Sequence, residues 1–184
     1  MDEIEAIRRL KRGDIGGLEY FVERYQVKTT RAAFLVIHDQ ARAEDVVQET
    51  FIRIFQNSSR FDETRPFEPY LMRSVVNAAL NACRNDKRTV SIESDMGAVE
   101  ELISEAASVE SHVEYWELRN GIVEALKQLP PRERAVIVQR YYLDMSEKEM
   151  ALALDTAPGT VKWLLNAARS RLRDLLGSGR HDER

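Results

Sequence analysis

The stretch Leu143–Leu176, LDMSEKEMALALDTAPGTVKWLLNAARSRLRDLL, decides the fold. Ser146 followed by Glu149 is a capping box, which satisfies two orphan backbone donors and starts a helix. Asp155-Thr156-Ala157 breaks that helix after about two turns. Pro158 then stands where a second helix begins, because its fixed φ suits the first helical position and its missing N–H is not needed there. Beyond it, Val161, Leu165, Ala168, Leu172 and Leu175 recur at spacings of four, three, four and three, which is one apolar face. Lys162, Asn166, Arg169 and Arg173 form a polar, basic stripe on the other side. This is the grammar of a helix-turn-helix whose second helix fits a DNA major groove. Two short helices joined by a turn also occur in ordinary bundles, where a basic stripe is a solvated face.

Composition narrows the class. A chain of 184 residues suits one large or two small domains. Eight Gly and five Pro among abundant Ala, Leu, Glu and Arg point to an all-α protein. No apolar run approaches membrane-spanning length, and the charged N-terminus MDEIEAIRRLKRG is no signal peptide, so membrane insertion is not expected and a cytoplasmic location is. Cys83 stands alone, which excludes an internal disulfide and fits a reducing compartment. His38, His112 and His181 are scattered, so neither a metal site nor another cofactor is expected. Gly16-Gly17 lacks the lysine and spacing of a phosphate loop.

The net charge of −4 looks wrong for a DNA binder, and its distribution resolves part of the puzzle. Residues 1–90 carry fifteen Lys/Arg against fourteen Asp/Glu, and residues 119–184 carry twelve against nine. Residues 91–118 carry eight acids and no Lys or Arg. Two nearly neutral helical units are therefore expected, a bundle over 1–90 and a four-helix helix-turn-helix domain over 111–178. An acidic linker over 91–110 joins them and a tail over 179–184 follows. Neither unit has the positive charge to hold DNA tightly unaided. The linker is open to two readings, a solvated tether or a segment with a specific role.

In the first unit, helices are expected over Asp2–Arg12, from Leu18 to about Ile37, from near Ala43, and over Tyr70–Asp86 after a loop Asn57–Pro69. Val47, Phe51, Ile54 and Phe55 should face the core of the third helix. Asp45, Gln48, Glu49 and Ile52 share another side, an acid–amide–apolar patch of the kind a partner helix wants. In the fourth helix Met72, Val76, Ala79 and Cys83 read as the buried stripe. Its opposite face shows Arg73, Asn77, Asn81 and Arg84, extended by Lys87 and Arg88. Cations suit phosphates and amides can reach base edges. Phe61, Phe67 and Tyr70 are candidates for stacking on unpaired bases, with core packing as the competing reading.

These residues carry a resemblance. AEDVVQETFIRIFQNSSRFDETRPFEPYLMRSVVNAALNACR resembles the second conserved region of bacterial sigma factors of the extracytoplasmic-function (ECF) type, in the sigma-70 family. LKQLPPRERAVIVQRYYLDMSEKEMALALDTAPGTVKWLLNAARSRLRDLL resembles their fourth region. The resemblance implies a factor without enzymatic activity that binds core RNA polymerase, recognises and melts promoter DNA, and so starts transcription. Asp45, Gln48, Glu49 and Ile52 would grip the clamp helices of the largest polymerase subunit, and the flap would be a second contact. Phe61, Phe67, Tyr70, Arg73, Asn77, Asn81, Arg84, Lys87 and Arg88 would take the −10 element as single-stranded DNA. Thr156, Gly159, Thr160, Lys162, Trp163, Asn166, Arg169 and Arg173 would read the −35 element as duplex. The linker would run through the channel that nascent RNA later occupies. An anti-sigma factor is a further partner common in the family.

The chain departs from the family pattern in places. Tyr70, preceded by Pro69, stands where a tryptophan is common. Ala157 replaces a capping serine, Trp163-Leu164 replaces a Ser-Arg pair, and Ala167 replaces an arginine. Loss of the cap costs about 1 kcal/mol. Lys162, Arg169, Arg171 and Arg173 remain as cations. A stand-alone helix-turn-helix regulator is the alternative function, but it calls for a basic, dimeric unit that the charge distribution does not supply. A small helical hydrolase is a third, and no Ser/His/Asp or carboxylate–His grouping supports it.

Overall fold

Helix formation begins at Asp2, whose carboxylate accepts the Glu5 N–H at 2.8 Å and caps α1, Glu3–Lys11. The computed structural model describes residues 1–85 and 112–178, and among them every regular element is helical. The chain divides into two compact units, Met1–Thr89 and Val90–Arg184. The acidic linker 91–110, the tail 179–184, and Lys87 and Arg88 lie outside the described residues.

Three helices of the first unit start earlier than hydrophobic periodicity placed them, two at their own N-caps and the third at a carboxylate from α1. Asp14 accepts the Gly16 N–H at 2.9 Å, so α2 runs Ile15–Ile37 and not from Leu18. Asp39 accepts the Arg42 N–H at 3.0 Å, so α3 runs Gln40–Gln56. That start moves Glu44 and Asp45 out of the first turn, where the expected start at Ala43 had put them. The last helix of the unit, α4, is Phe67–Asn85, and the Glu3 carboxylate accepts the Phe67 N–H at 3.2 Å. Pro69 falls inside its first turn, where no backbone donor is required.

The second helix, α2, is the hub against which α1, α3 and α4 pack. Phe21, Val36, Leu71, Val75 and Val76 are fully buried there, and Val47, Phe51 and Ile54 of α3 join them as the apolar spacing predicts. Each such side chain contributes about 1.5–3 kcal/mol relative to exposure. Phe55 and Cys83 are only half-buried, at the edge of their stripes. The Cys83 thiol lies 3.7 Å from the Val36 carbonyl.

Gly17 is what lets α1 and α2 come together. A Cβ there would lie 2.5 Å from the Leu10 backbone nitrogen and 2.6 Å from the Ala6 carbonyl oxygen. Both are main-chain atoms of α1 and cannot swing aside. Gly17→Ala is therefore expected to destabilise the folded protein by about 1–3 kcal/mol. Circular dichroism melting would check it, and an unchanged midpoint would mean that α1 yields.

The second unit comprises α5 (His112–Lys127), α6 (Pro131–Ile137), a π-helical turn (Val138–Tyr142), α7 (Glu147–Ala153) and α8 (Pro158–Ser178). The capping box forms as read: Ser146 N–H donates to Glu149 at 2.7 Å, and Glu149 N–H donates to the Ser146 hydroxyl oxygen at 3.3 Å. The Ser146 hydroxyl and N–H together hold the Glu149 carboxyl below its ordinary range. After α7, Asp155 adopts a left-handed φ of 47°, and Thr156 N–H donates to the Ala151 carbonyl at 3.0 Å. That is a Schellman-type closure, and it makes the tight turn. Pro158 then opens α8, which buries Val161, Leu165 and Ala168 against α5, α6 and α7. Leu172 and Leu175 are half-buried, so the apolar face thins toward its end.

Among the described residues no helix is long and apolar enough to cross a membrane, and no group of three or more His, Cys, Asp or Glu could hold a metal ion.

Candidate nucleic-acid and partner interfaces

On α3 the buried stripe fixes what faces outward. Asp45, Gln48 and Glu49 are exposed and Ile52 is 45% exposed, so four residues at helical spacing share one solvent face. Arg42 on the same helix reaches α4, donating Nη2–H to the Ala82 carbonyl at 3.1 Å. This bond ties α3 to α4, which carries the face described next.

Arg73, Asn81 and Arg84 are exposed along α4, with Asn77 half-buried between them. The preceding loop is tied down. Glu63 pairs with Lys11 at 2.9 Å, which holds its carboxyl below the ordinary range, and Arg8 approaches it at 3.9 Å. Asp62 is likewise lowered, since it accepts from the Thr64 hydroxyl at 2.7 Å and the Thr64 N–H at 3.0 Å. Exposed pairs like these add little stability, but together they restrain where Phe61 sits.

The three aromatic residues of this region are brought together, and they separate into two kinds. Phe67 has no exposed surface and stacks on Phe21 with ring centroids 3.7 Å apart. The expectation that Phe67 stacks on a base is therefore corrected: its ring is core, and reaching DNA would unpack α2 from α4. Tyr70 is 39% exposed, with its centroid 5.2 Å from Phe61 and 6.3 Å from Phe67. Phe61 is half-buried. Phe61 and Tyr70 thus present aromatic edges on a rigid base, next to the cations and amides of α4.

On α8 the outward face holds Gly159, Lys162, Trp163, Asn166 and Arg173, while Thr156 and Thr160 are half-buried at the turn. Leu164, counted above as a missing cation, is buried at 6% exposure and belongs to the core stripe with Val161. Two remaining cations are not equivalent to the rest. Arg171 lies 3.1 Å from the carboxylate of the buried Glu133, so it holds α8 to α6. Arg169 donates Nε–H to the Tyr141 hydroxyl at 2.8 Å, with its guanidinium carbon 5.8 Å from the centre of that ring.

Tyr141 went unnoticed in the sequence because nothing local marks it. It sits in the π-helical turn, where Leu143 N–H donates to the Val138 carbonyl five residues back at 3.0 Å, so the side chains leave the α-helical phase. That re-aimed ring is what meets α8, 28 residues further on.

Comparisons with known proteins bear on these surfaces. Residues 21–89 match the family model for Sigma-70 region 2, and residues 119–172 match that for Sigma-70, region 4. The chain is 28% identical to the ECF RNA polymerase sigma factor SigW of Bacillus subtilis, over 94% of this chain and 95% of that protein. It is 30% identical to the RNA polymerase sigma-E factor of Streptomyces avermitilis, over 94% of this chain and 92% of that one. Among solved structures it resembles CnrH, determined in complex with the cytosolic domain of CnrY, with a TM-score of 0.67 and 25% identity over 96% of this chain and 99% of that one. The sigma factor RpoE of Bartonella quintana, solved with the anti-sigma factor NepR, shares the fold with a TM-score of 0.60 over 86% of this chain and 97% of that one.

Proposed function

We propose, from the premise that this chain belongs to the ECF sigma factors of the sigma-70 family, a division of labour among its surfaces. The chain is an initiation factor: it binds RNA polymerase and directs promoter-specific transcription. Sigma factors act by binding and not by covalent chemistry. The stand-alone regulator reading is not favoured, because regions 2 and 4 are both matched on one chain.

The finer assignments are our reading. Residues 1–90 act as region 2, with Asp45, Gln48, Glu49 and Ile52 against the clamp helices. Phe61, Tyr70, Arg73, Asn77, Asn81 and Arg84 take the −10 strand, and Lys87 and Arg88 extend that face in sequence. Residues 111–178 act as region 4, with a polymerase flap contact and the outward face of α8 on the −35 duplex. Residues 91–110 link them, and the protein works in the cytoplasm. CnrH and RpoE were solved with CnrY and the anti-sigma factor NepR, and we assign this chain a partner of that class.

The observation that carries the reading is the pairing on one compact unit of an exposed carboxylate patch and an amide–cation face flanked by accessible rings. The first suits a polymerase, the second an unpaired strand. Unstacking bases costs a few kcal/mol per step, and contacts of this kind repay it. Purified core polymerase with and without the protein, transcribing a randomised promoter library, tests it. Paired −35 and −10 motifs should be enriched only when the protein is present; duplex binding without core would restore the regulator.

Tyr141 makes the region 4 assignment specific enough to test. Tyr141→Phe removes the hydroxyl that steadies Arg169 but keeps every cation. It should weaken capture of duplex promoter about fivefold, near the value of one hydrogen bond, with the salt dependence unchanged. Arg169→Ala should instead lower the salt slope by about one phosphate contact. Salt titrations of holoenzyme binding distinguish the two, and wild-type affinity for Tyr141→Phe would leave the hydroxyl without a role in binding.

A further inference from the structure

Trp163 is the most exposed of the large apolar side chains on α8, at 64%. A lone exposed apolar residue on an ordinary surface carries no message. This one is placed differently. It is the sixth residue of α8, in the second turn of the helix that follows the tight turn. Gly159 and Asn166 stand four residues before and three after it, at helical neighbour spacings, Lys162 is adjacent in the chain, and all three are exposed. Val161, Leu164 and Leu165 are buried on the other side, so the helix cannot rotate to hide the indole without surrendering its core. A Cβ added at Gly159 would meet nothing within 4 Å, so the ground beside the indole is open.

The chemistry of that face is divided. Lys162 and Asn166 supply donors and an acceptor able to pair with purine edges. Trp163 supplies a broad, exposed apolar ring on the same helix. A major groove displays hydrogen-bonding groups from every base pair, but only thymine adds an apolar one, its C5-methyl. We propose that Trp163 reads thymine C5-methyl groups in the −35 duplex, so that this factor selects thymine at one or two positions by apolar contact. The inference rests on the assignment of α8 to the −35 element and goes beyond it by naming the base and the group recognised. It also gives a role to the replacement of the Ser-Arg pair. Leu164 withdraws into the core, and Trp163 converts the position beside it from hydrogen bonding to methyl readout.

Deoxyuridine keeps every hydrogen-bonding group of thymidine and lacks only the methyl, so it isolates the contact. The holoenzyme, with wild-type protein, is first used to select preferred promoters from a library randomised across both elements. Each thymine of the selected −35 element is then replaced singly by deoxyuridine, and binding is measured for wild type, Trp163→Ala and Trp163→Phe. Wild type should lose about fourfold at one or two positions, the factor expected for burying one methyl. Trp163→Phe should retain much of that discrimination, and Trp163→Ala should bind thymine and deoxyuridine alike. Because Trp163 is exposed, Trp163→Ala should melt like wild type, which separates loss of reading from loss of fold.

A deoxyuridine effect that is absent in wild type, or equally large in Trp163→Ala, overturns the proposal. The second result would leave Trp163 as a docking residue for a protein. A selection that enriches no −35 sequence with wild-type protein would overturn the assignment of α8 itself, and the methyl readout with it.

Discussion

Asp45→Arg combined with Gln48→Ala should weaken binding to core RNA polymerase by roughly a hundredfold or more, because a reversed charge at a complementary interface costs several kcal/mol. Both side chains are exposed on α3, away from the buried Val47, Phe51 and Ile54. Helical content and melting temperature should therefore stay as in wild type. Ile52→Ala should cost less, since it removes apolar contact without introducing repulsion. The effect of the double variant should shrink as salt rises, because the partner's charges are then screened. Competition for core polymerase against the wild-type protein gives the number directly. Undiminished competition by the double variant would place the polymerase contact elsewhere on the chain.

What the sequence disclosed depended on how far each feature's cause lay along the chain. The helix-turn-helix was legible because its signals are local: Ser146 and Glu149 lie three residues apart and form the reciprocal bonds expected of them. Pro158 likewise marks a helix start by its own covalent geometry. The start of α4 was placed three residues late because its first donor is satisfied by Glu3, 64 residues earlier in the chain. No pattern around Phe67 records that bond. The same distance explains the aromatic residues: whether Phe67 is core or stacking platform depends on Phe21, which lies on another helix.

Charges were legible as a pattern and not as partners. Arg171 counted in the sequence only as one of the cations that remain, yet it lies 3.1 Å from Glu133 on α6. Arg169 belongs to the outward face only through Tyr141, and the π-helical turn that aims Tyr141 leaves no periodic mark. Leu164 is the exception, because its burial follows from its spacing to Val161 and Ala168. Reading it as an absent arginine put family pattern ahead of periodicity.

Tyr70→Ala and Phe67→Ala should fail in opposite ways, and the contrast tests the −10 assignment. Tyr70 exposes 39% of its surface and rests against Phe61 and Phe67, so its removal leaves the core intact. If its ring stacks on an unpaired base, the loss is about 1–3 kcal/mol, or roughly five- to 150-fold in open complex. Initial capture of closed duplex should be untouched, since we assign that contact to α8. Tyr70→Phe should be close to wild type, because the stacking face is kept. Asn81→Ala, also exposed on α4, should share the defect of Tyr70→Ala in milder form. Phe67→Ala instead removes a fully buried ring that stacks on Phe21 and should destabilise the fold by about 3–5 kcal/mol. Its defects in capture and melting should then both follow the fraction of protein folded and recover on cooling, whereas the Tyr70→Ala defect should not. Permanganate reactivity of thymines in the −10 region, read beside gel-shift binding and thermal melts, separates these outcomes. Full permanganate reactivity with Tyr70→Ala would remove the ring from the melting step and leave the cations and amides of α4 to hold the strand alone.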